Sequence, residues 1–289
     1  MKKIIDVIVP TYNRYHALAE FFENNKNLNQ EDIRIWIIDD CSPKVDPSVI
    51  PPWPNLTFIQ LPENKGQAHA RNIAIDAGDG TFVISLDDDA WFENGTLKVN
   101  QMIELFERYP DAGCLMFNIS TPASSYSLMP EGTILSMHVT CGCAYRRSAL
   151  ASAGGFSGFL HSGGEEVDLS IRLYNAGWYI RFAQEIKAFH NFIPHSRSLS
   201  WYYKARYNTT RNDLLIVLMY YPLVLVVPHV IGKYLSHLIF AFKNKVSVFK
   251  TCWFTLIAFF GFLRLLPSAL QRRQPLSIAK FKFWRSLNA

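Results

Sequence analysis

Three consecutive carboxylates follow an apolar run at residues 81–86 that is rich in β-branched and aromatic side chains. The pattern predicts a buried strand with Asp87, Asp88 and Asp89 at its carboxyl end, where open α/β sheets bind their ligands. Adjacent carboxylates repel each other, so a divalent cation would stabilise them, and Asp oxygens suit Mg²⁺ or Mn²⁺ together with substrate phosphates. A solvated acidic turn, or the cap of the following helix, is the alternative that this triplet alone leaves open.

A second acidic group lies further along the chain, where Gly163 and Gly164 precede Glu165, Glu166 and Asp168. Acids at the start of a helix complement the helix dipole, which is a structural explanation for them. That explanation leaves the two glycines without a role, whereas a loop that closes over a substrate needs such residues. The stretch is therefore a candidate for part of an active site.

Strands and helices alternate through the first half of the chain. Apolar runs predict strands at residues 4–10, 33–38, 56–61 and 81–86, with helical spacing between them. This alternation predicts parallel βαβ units in an α/β fold with a doubly wound, mostly parallel sheet flanked by helices. No GxGxxG or P-loop lysine pattern follows these strands, which argues against an ordinary dinucleotide or ATP site. A later strand at residues 179–183 is followed by His190, and an isolated histidine is more often structural than a ligand.

Charge is distributed unevenly along the 289 residues, which have a net charge of +5 and 49% hydrophobic composition. Residues 1–213 contain all 24 acids, whereas residues 214–289 contain ten bases and no acid. The five cysteines form no even framework, and Cys141-Gly142-Cys143 lacks a second pair at zinc-like spacing, so reduced cytosolic thiols are expected. The amino terminus runs directly into a strand, unlike a signal peptide.

The basic tail contains three apolar runs. Residues 214–232 have no formal charge but are interrupted by Pro222 and Pro228, which weakens a membrane-spanning interpretation. The runs at residues 234–242 and 251–263 are too short to span as straight helices. Apolar runs bounded by Lys and Arg favour helices that lie in the interface of an anionic cytoplasmic leaflet. A buried helical subdomain is one alternative, and a nucleic-acid surface is disfavoured because the aromatic residues do not alternate with the bases.

Five motifs occur in one order along the chain: VIVPTYNR at 7–14, IIDDCS at 37–42, NKGQAHARN at 64–72, LDDD at 86–89 and GEEVDL at 164–169. In order and spacing this set resembles the inverting glycosyltransferases of family 2, which have the GT-A fold. The resemblance covers residues 4 to about 212. His190 and the Arg211-Asn212 pair further resemble rhamnosyltransferases of bacterial surface polysaccharides.

The resemblance implies a role for each matching residue. Those expected to bind the donor nucleotide are Pro10, Thr11, Tyr12, Asn13, Arg14, Asp40, Lys65, Arg71, Asp87 and Asp88. Asp40 would accept the imide N–H of a uracil or thymine ring, and Lys65 and Arg71 would lie near the ribose and diphosphate. Asp89 would bind Mn²⁺ or Mg²⁺ directly, with Asp87 nearer the ribose and His190 as a further metal ligand.

Glu166 stands where the family commonly has Asp as the general base. The resemblance implies that it takes a proton from the acceptor hydroxyl as that oxygen attacks the anomeric carbon, so that one displacement inverts the configuration. Because Glu is one methylene longer than Asp, Glu165 and Asp168 remain alternatives for the base. Cys41 replaces the glycine that usually follows the acidic pair, and we expect a small buried residue there.

These features predict a GT-A catalytic domain at residues 1–212 and a basic, helical, membrane-associating region at residues 213–289. The predicted enzyme moves a sugar from a UDP- or dTDP-sugar to a hydroxyl of a lipid-linked saccharide in bacterial surface polysaccharide synthesis. It would work at the cytoplasmic face of the membrane, which residues 213–289 contact, and no nucleic acid is expected as a partner. A polyprenyl-phosphate glycosyltransferase and a non-catalytic, membrane-bound nucleotide-sugar sensor are the alternatives.

Overall fold

Runs of β-branched and aliphatic residues form the strands, and segments with helical spacing form the helices. The computed structural model describes residues 5–160, 162–192, 199–243 and 247–287. Within these ranges the strands are β1 (Ile5–Thr11), β2 (Ile33–Asp39), β3 (Leu56–Gln60), β4 (Phe82–Leu86), β5 (Ala90–Phe92), β6 (Ala112–Ser120), β7 (Ile134–Leu135), β8 (Gly142–Arg146) and β9 (Tyr179–His190). The helices are α1 (Tyr15–Asn24), α2 (Gln67–Ala77), α3 (Val99–Arg108), α4 (Arg147–Ala153), α5 (Glu165–Asn175), α6 (Leu199–Tyr220), α7 (Leu223–Lys243), α8 (Val248–Gln271) and α9 (Ile278–Ser286).

The chain divides into two compact units. The first comprises Met1–Gly158, Leu169–Ile193 and the last two residues, and the second comprises Phe159–Asp168 and Pro194–Leu287. The boundary expected at residue 212 lies inside α6, which continues through that position without a break. A cut at residue 212 would therefore divide a helix of the second unit.

The first unit is built on a mixed sheet. Within the described part of the chain, nine strands pair in the order β3-β2-β1-β4-β8-β6-β9-β5, and β7 pairs with β9. The β3-β2-β1-β4 half is parallel, as predicted. β8 is antiparallel to β4 and β6, and β5 and β7 are antiparallel to β9. β6 and β9 pair in parallel, so the expected mostly parallel sheet is matched in part. β8 runs antiparallel between β4 and β6, and the described loop from β6 to β8 contains no crossover helix, which antiparallel pairing does not need.

Both faces of this sheet are covered, because successive side chains of a strand point to opposite faces. Val7 of β1 belongs to an apolar core on one face, together with Phe21 of α1. Its neighbour Ile8 belongs to the core on the other face, together with Ala70 of α2 and Leu150 of α4. Burial on both faces fixes the strands, and so fixes the positions of the loops that follow them.

The second unit is helical, and α6 packs closely against α8. Tyr203 stacks on Phe254 with ring centroids 5.1 Å apart. A Cβ added at Gly261 would lie 2.4 Å from Oη of Tyr207, so a larger residue there would require the Tyr207 side chain to move. α6 is also joined to α7 by Asp213, whose Oδ2 lies 3.0 Å from Nε2 of His237.

The apolar runs of the tail form longer helices than the sequence predicted. Residues 214–232 are divided between α6 and α7, which are separated around Pro222, so they do not form one spanning segment. In the described residues, Leu223–Phe240 and Val248–Gln271 are each long and apolar enough to cross a membrane, with a mean hydropathy of 1.6. The expectation that these runs are too short was wrong, because basic residues such as Lys233 do not end the helices.

Candidate active site

The carboxyl ends of three parallel strands meet at one edge of the sheet in the first unit. Pairing of β1 with β2 sets Thr11 opposite Asp39, and Asp40 follows directly. β1 also pairs in parallel with β4, which ends immediately before Asp87. The acidic residues predicted from the sequence therefore lie on neighbouring strand ends, where open α/β sheets bind their ligands.

Asp88 points into the protein at this edge, with 3% of its surface exposed. Its carboxylate accepts a hydrogen bond from Oγ1 of Thr11 at 2.7 Å and lies 3.1 Å from Nη1 of Arg14. Burial raises the pKa of Asp88 to about 7, although the charge of Arg14 and the hydrogen bond from Thr11 oppose this shift. These contacts would let Asp88 act on a nucleotide through Thr11 and Arg14, and its expected direct contact with the nucleotide stays a prediction.

Asp87 is held by a buried arginine. Nη2 of Arg71 donates to Oδ1 of Asp87 at 2.6 Å, and Nε of Arg71 donates to Oγ of Ser85 at 3.0 Å. Arg71 is 0% exposed, and its guanidinium lies over the ring of Phe156 at 5.7 Å. A guanidinium buried in this way would act on a ribose or diphosphate through Asp87, and the expected place of Arg71 near those groups stays a prediction.

Asp89 and His190 are brought together by a pair of antiparallel strands. The pairing of β5 with β9 sets Ala90 opposite His190. Nε2 of His190 lies 3.1 Å from Oδ1 of Asp89 and 3.7 Å from Oδ2 of Asp87. His190 is the last residue of β9, which continues well beyond the strand predicted at residues 179–183. This extension brings the imidazole to the carboxylates.

The charges at this position stabilise one another. Burial alone would raise the pKa of Asp89, but the contacts with His190 and Arg14 outweigh it and lower that pKa. Burial likewise disfavours charge on His190, but the contacts with Asp89 and Asp87 raise the pKa of its imidazole. Nη2 of Arg14 contacts Oδ2 of Asp89. The two carboxylates and the imidazole form an oxygen and nitrogen donor set that fits a divalent cation such as Mn²⁺.

The structure adds a cysteine that the sequence did not single out as a ligand. The ligand atoms of Asp87, Cys141 and His190 all lie within 4.8 Å of one another, an arrangement that could hold a metal ion. In the antiparallel pairing of β8 with β4, Gly142 is opposite Leu86, so the preceding Cys141 lies across from Asp87. Spacing along the chain could not identify this cluster, because its members come from the ends of three different strands.

The loop after β1 contains the other residues predicted to contact the nucleotide. Pro10 is partly exposed at the end of β1, and Tyr12 is 48% exposed, so its ring is accessible to a nucleobase. Asn13 has a positive φ of 54°, and its backbone N–H donates to Oγ of Ser42 at 2.7 Å. This hydrogen bond joins the loops that follow β1 and β2.

Asp40 connects the loop after β2 with the start of α2. Its Oδ1 accepts the backbone N–H of Lys65 at 2.9 Å, and its Oδ2 accepts that of Gly66 at 2.7 Å. A base contact by Asp40 would therefore use the remaining lone pairs of oxygens that are already bonded. The ammonium of Lys65 pairs with Glu63 at 2.5 Å. Cys41 is half-buried rather than buried as expected, and its φ of 68° explains why glycine is usual at this position.

The candidate bases lie in the second unit, at the beginning of α5. Glu165 and Asp168 are each 1% exposed, whereas Glu166 is partly exposed. The hydroxyl of Tyr220 donates to Oδ1 of Asp168 at 2.5 Å, which gives Asp168 a structural role. Of the three acids, Glu166 has the access that a base for an incoming acceptor needs.

The two glycines before these acids have a conformational role. Gly163 and Gly164 have φ angles of 93° and 88°, in the left-handed region that favours glycine. Nδ2 of Asn212 donates to the carbonyl oxygen of Gly163, and Nε of Arg211 donates to Oδ1 of Asn212 at 2.9 Å. The Arg211-Asn212 pair therefore supports the loop that leads into α5.

The half-parallel sheet with carboxylates at its strand ends defines a class of protein, the GT-A glycosyltransferases, which use nucleotide-sugar donors. Residues 6–152, just over half of the chain, match the model of glycosyl transferase family 2. The chain belongs to this family. The resemblance to family 2 is thereby confirmed, and the matched residues include four of the five motifs.

Individual relatives agree with this assignment. YwdF, an uncharacterized glycosyltransferase of Bacillus subtilis, is 28% identical to this chain over 171 residues. The match covers 55% of this chain and 63% of YwdF, so the chain spans less than two thirds of the length of YwdF. A crystal structure of S. aureus TarS in complex with UDP has a TM-score of 0.60 and 17% identity, over 85% of this chain and 76% of that one. GalNAc-T7, solved with UDP, GalNAc and Mn²⁺, has a TM-score of 0.62 and 14% identity, over 89% of this chain and 54% of the GalNAc-T7 chain. These structures share the fold of this chain.

Proposed function

We propose that the chain is an inverting, metal-dependent glycosyltransferase that moves a sugar from a UDP- or dTDP-sugar to a hydroxyl of a lipid-linked saccharide, in the synthesis of a bacterial surface polysaccharide. The observation that supports this most is the cluster of Asp87, Asp89 and His190 at the strand ends of a family 2 chain. TarS in complex with UDP, and GalNAc-T7 with UDP and Mn²⁺, support the choice of nucleotide and metal.

Asp87, Asp89 and His190 would hold a Mn²⁺ or Mg²⁺ ion. Such an ion would supply positive charge opposite the diphosphate as it departs. Nη2 of Arg71 would orient Asp87 toward the ion, because it donates a hydrogen bond of 2.6 Å to Oδ1 of that carboxylate. The exposed ring of Tyr12 is suited to stacking on the nucleobase.

Glu166 would act as the general base. As the acceptor oxygen forms its bond to the anomeric carbon, its proton passes to the Glu166 carboxylate, and the bond from that carbon to the diphosphate oxygen breaks. The attack comes from the face opposite the leaving group, so the configuration inverts. Glu165 and Asp168 are less suited to this step, because each is 1% exposed.

A lipid-linked acceptor is supported by the surface of the second unit. α7 and α8 expose large apolar side chains in numbers that a soluble monomer rarely shows. The exposed residues on these helices include Leu223, Val224, Val227, Ile231, Leu235, Ile239, Phe249, Trp253, Leu256, Phe260, Leu263 and Leu270. Together with the ten bases after residue 213 and the absence of acids there, this surface suits the anionic cytoplasmic leaflet of a membrane. An enzyme held at that leaflet would meet acceptors carried on a lipid.

The same apolar surface favours one alternative, a polyprenyl-phosphate glycosyltransferase, whose acceptor is the lipid phosphate itself. A phosphate acceptor arrives largely ionised, so it needs little help from a base. The non-catalytic sensor is not retained, because the chain belongs to a family of enzymes. The two enzyme readings differ in what they require of Glu166.

A panel of UDP- and dTDP-sugars, each tested with and without Mn²⁺, should identify the donor through release of the nucleoside diphosphate. We expect one donor to give Mn²⁺-stimulated release that increases when lipid-linked saccharide is added. Release that is indifferent to Mn²⁺ and to chelator would contradict the metal-dependent mechanism.

Glu166→Gln tests the base and separates the two acceptor types. Gln cannot accept the proton, so kcat with a hydroxyl acceptor should fall by roughly two to four orders of magnitude while the donor still binds. With a polyprenyl-phosphate acceptor the change should be small. Glu165→Gln is the matched control, and loss of activity in that variant alone would show that Glu165 is the base.

A further inference from the structure

Three kinds of ligand atom converge beside the strand-end carboxylates. A carboxylate oxygen of Asp87, the thiol sulfur of Cys141 and a ring nitrogen of His190 lie within 4.8 Å of one another. Asp89 adjoins the group through His190, with Nε2 to Oδ1 at 3.1 Å. Neither the strand-end pattern nor the proposed mechanism assigns any role to the cysteine.

The position of Cys141 is set by the sheet. β8 begins at Gly142, directly opposite Leu86 at the end of β4, so Cys141 and Asp87 continue the two strands side by side. Pairing of β5 with β9 brings His190 to the same edge from the other direction. Cys141 is 9% exposed, whereas Cys143, two residues further on, is 0% exposed within the apolar core. The two thiols therefore have different surroundings, because Cys143 contacts Cys114 in the core, whereas Cys141 lies with Asp87 and His190.

We propose that Cys141 is a ligand of the divalent cation at this site, so that the cation is bound by oxygen, nitrogen and sulfur atoms. The inference rests on the proposed function, which has a cation bound to Asp87, Asp89 and His190. Thiolate sulfur is a soft ligand, whereas Mg²⁺ is bound through oxygen and demands a strict octahedral arrangement. The sulfur shifts the preference of the site from Mg²⁺ toward softer ions such as Co²⁺ and Cd²⁺. On ligation the thiol gives up its proton to the buffer.

Cobalt titration of the full-length protein in detergent tests this without any turnover. With wild-type protein, Co²⁺ should produce a sulfur-to-cobalt charge-transfer absorption in the near ultraviolet as well as the weak visible bands of bound cobalt. Cys141→Ser and Cys141→Ala should lose the charge-transfer absorption and retain the visible bands, because the carboxylates and the imidazole remain. Cys252→Ser is the matched control, since Cys252 lies in α8, and it should keep both features.

Binding constants supply a second measurement. Removal of Cys141 should weaken Cd²⁺ binding by at least about tenfold, since even partners that only support a ligand are typically worth 10–100-fold in affinity. Mg²⁺ binding should change by less than about twofold, because Mg²⁺ favours oxygen ligands. Circular dichroism of each variant would confirm that the fold is intact.

The outcomes separate this inference from the proposed function. If wild-type protein binds Co²⁺ without charge-transfer absorption, or if Cys141→Ser keeps that absorption, Cys141 is not a ligand and the metal-dependent mechanism stands. If no Co²⁺ binds to wild type and transfer proceeds in chelator, both the cysteine ligand and the metal site are wrong. Equal weakening of Cd²⁺ and Mg²⁺ binding would also overturn the sulfur ligand, since it would indicate a general disturbance of the site.

Discussion

Asp87 and Asp89 are two residues apart, yet removal of their charges should affect stability differently. Asp87 pairs with Arg71, which is 0% exposed, so Asp87→Asn leaves a buried guanidinium without its counter-charge. Asp89 contacts Arg14, whose side chain is 37% exposed and also lies 3.1 Å from Asp88. Asp89→Asn therefore leaves a guanidinium that water and a second carboxylate still stabilise, and the imidazole of His190, which also loses this partner, can become neutral by releasing a proton.

The size of the difference follows from the exposure of each partner. Removing one member of a buried ion pair costs about 3–5 kcal/mol. The side chain of Asp87 is 26% exposed, so the lower end, about 3 kcal/mol, applies to Asp87→Asn. A partly exposed pair such as that of Asp89 is worth about 0–1 kcal/mol. The two variants should differ by about 2–3 kcal/mol, or roughly 4–12 °C in the midpoint of thermal unfolding.

Thermal unfolding of both variants in the same detergent, together with Mn²⁺-stimulated release of nucleoside diphosphate, measures both effects. Both variants should lose activity, and only Asp87→Asn should lose the larger part of its stability. Adding Arg71→Gln to Asp87→Asn should recover part of the loss, because the second change removes the uncompensated charge. An unchanged midpoint for Asp87→Asn, or an equally low one for Asp89→Asn, would refute this reasoning.

Three further predictions concern other parts of the chain. The full-length protein should stay with membranes in about 1 M salt. Salt at that concentration screens charges beyond about 3 Å, but it does not weaken the burial of apolar residues such as Trp253 and Phe260. Recovery in the soluble fraction without detergent would contradict this prediction. Burial lowers the pKa of His138 to about 3, so the folded state favours the neutral ring. Above about pH 6.5 the histidine is neutral in both the folded and the unfolded chain, so it costs no stability. As the pH falls from there toward 3, the unfolded chain binds a proton that the folded one does not, and the free energy of unfolding decreases by about 1.4 kcal/mol per pH unit. His138→Gln should therefore unfold with a weaker dependence on acid pH than wild type, and equal dependence would show that the histidine is not responsible. Tyr220→Phe removes the hydrogen bond to Asp168 and should lower the free energy of unfolding by about 1.5–3 kcal/mol, which an unchanged urea midpoint would exclude.

The parallel half of the sheet was predictable because its strands are short apolar runs, and β1, β2 and β4 are almost entirely buried. The strand predicted at residues 33–38, for example, is β2, Ile33–Asp39. β9 was predicted too short, because polar residues after Ala183 interrupt its apolar pattern. The structure continues the strand through an irregularity in its pairing with β6, where the register shifts between Phe117 and Asn118. A shift of this kind changes which residues face the core, so a regular period cannot reveal it.

In the candidate site, too, the residues that a local sequence pattern indicates were predicted, whereas the contacts that depend on the fold were not. Asp87 and Asp89 were identified because a strand that ends in acids is a local pattern. The environment of Arg71 was not predicted, because a basic residue on a helix is ordinarily exposed. The packing of α2 on the sheet buries it beside Asp87. Cys141 was missed for a related reason, since its neighbours Asp87 and His190 come from strands that are distant along the chain. Asp87 therefore lies between a buried guanidinium that holds it in position and two side chains able to share a cation with it, and its role depends on contacts that only the fold creates.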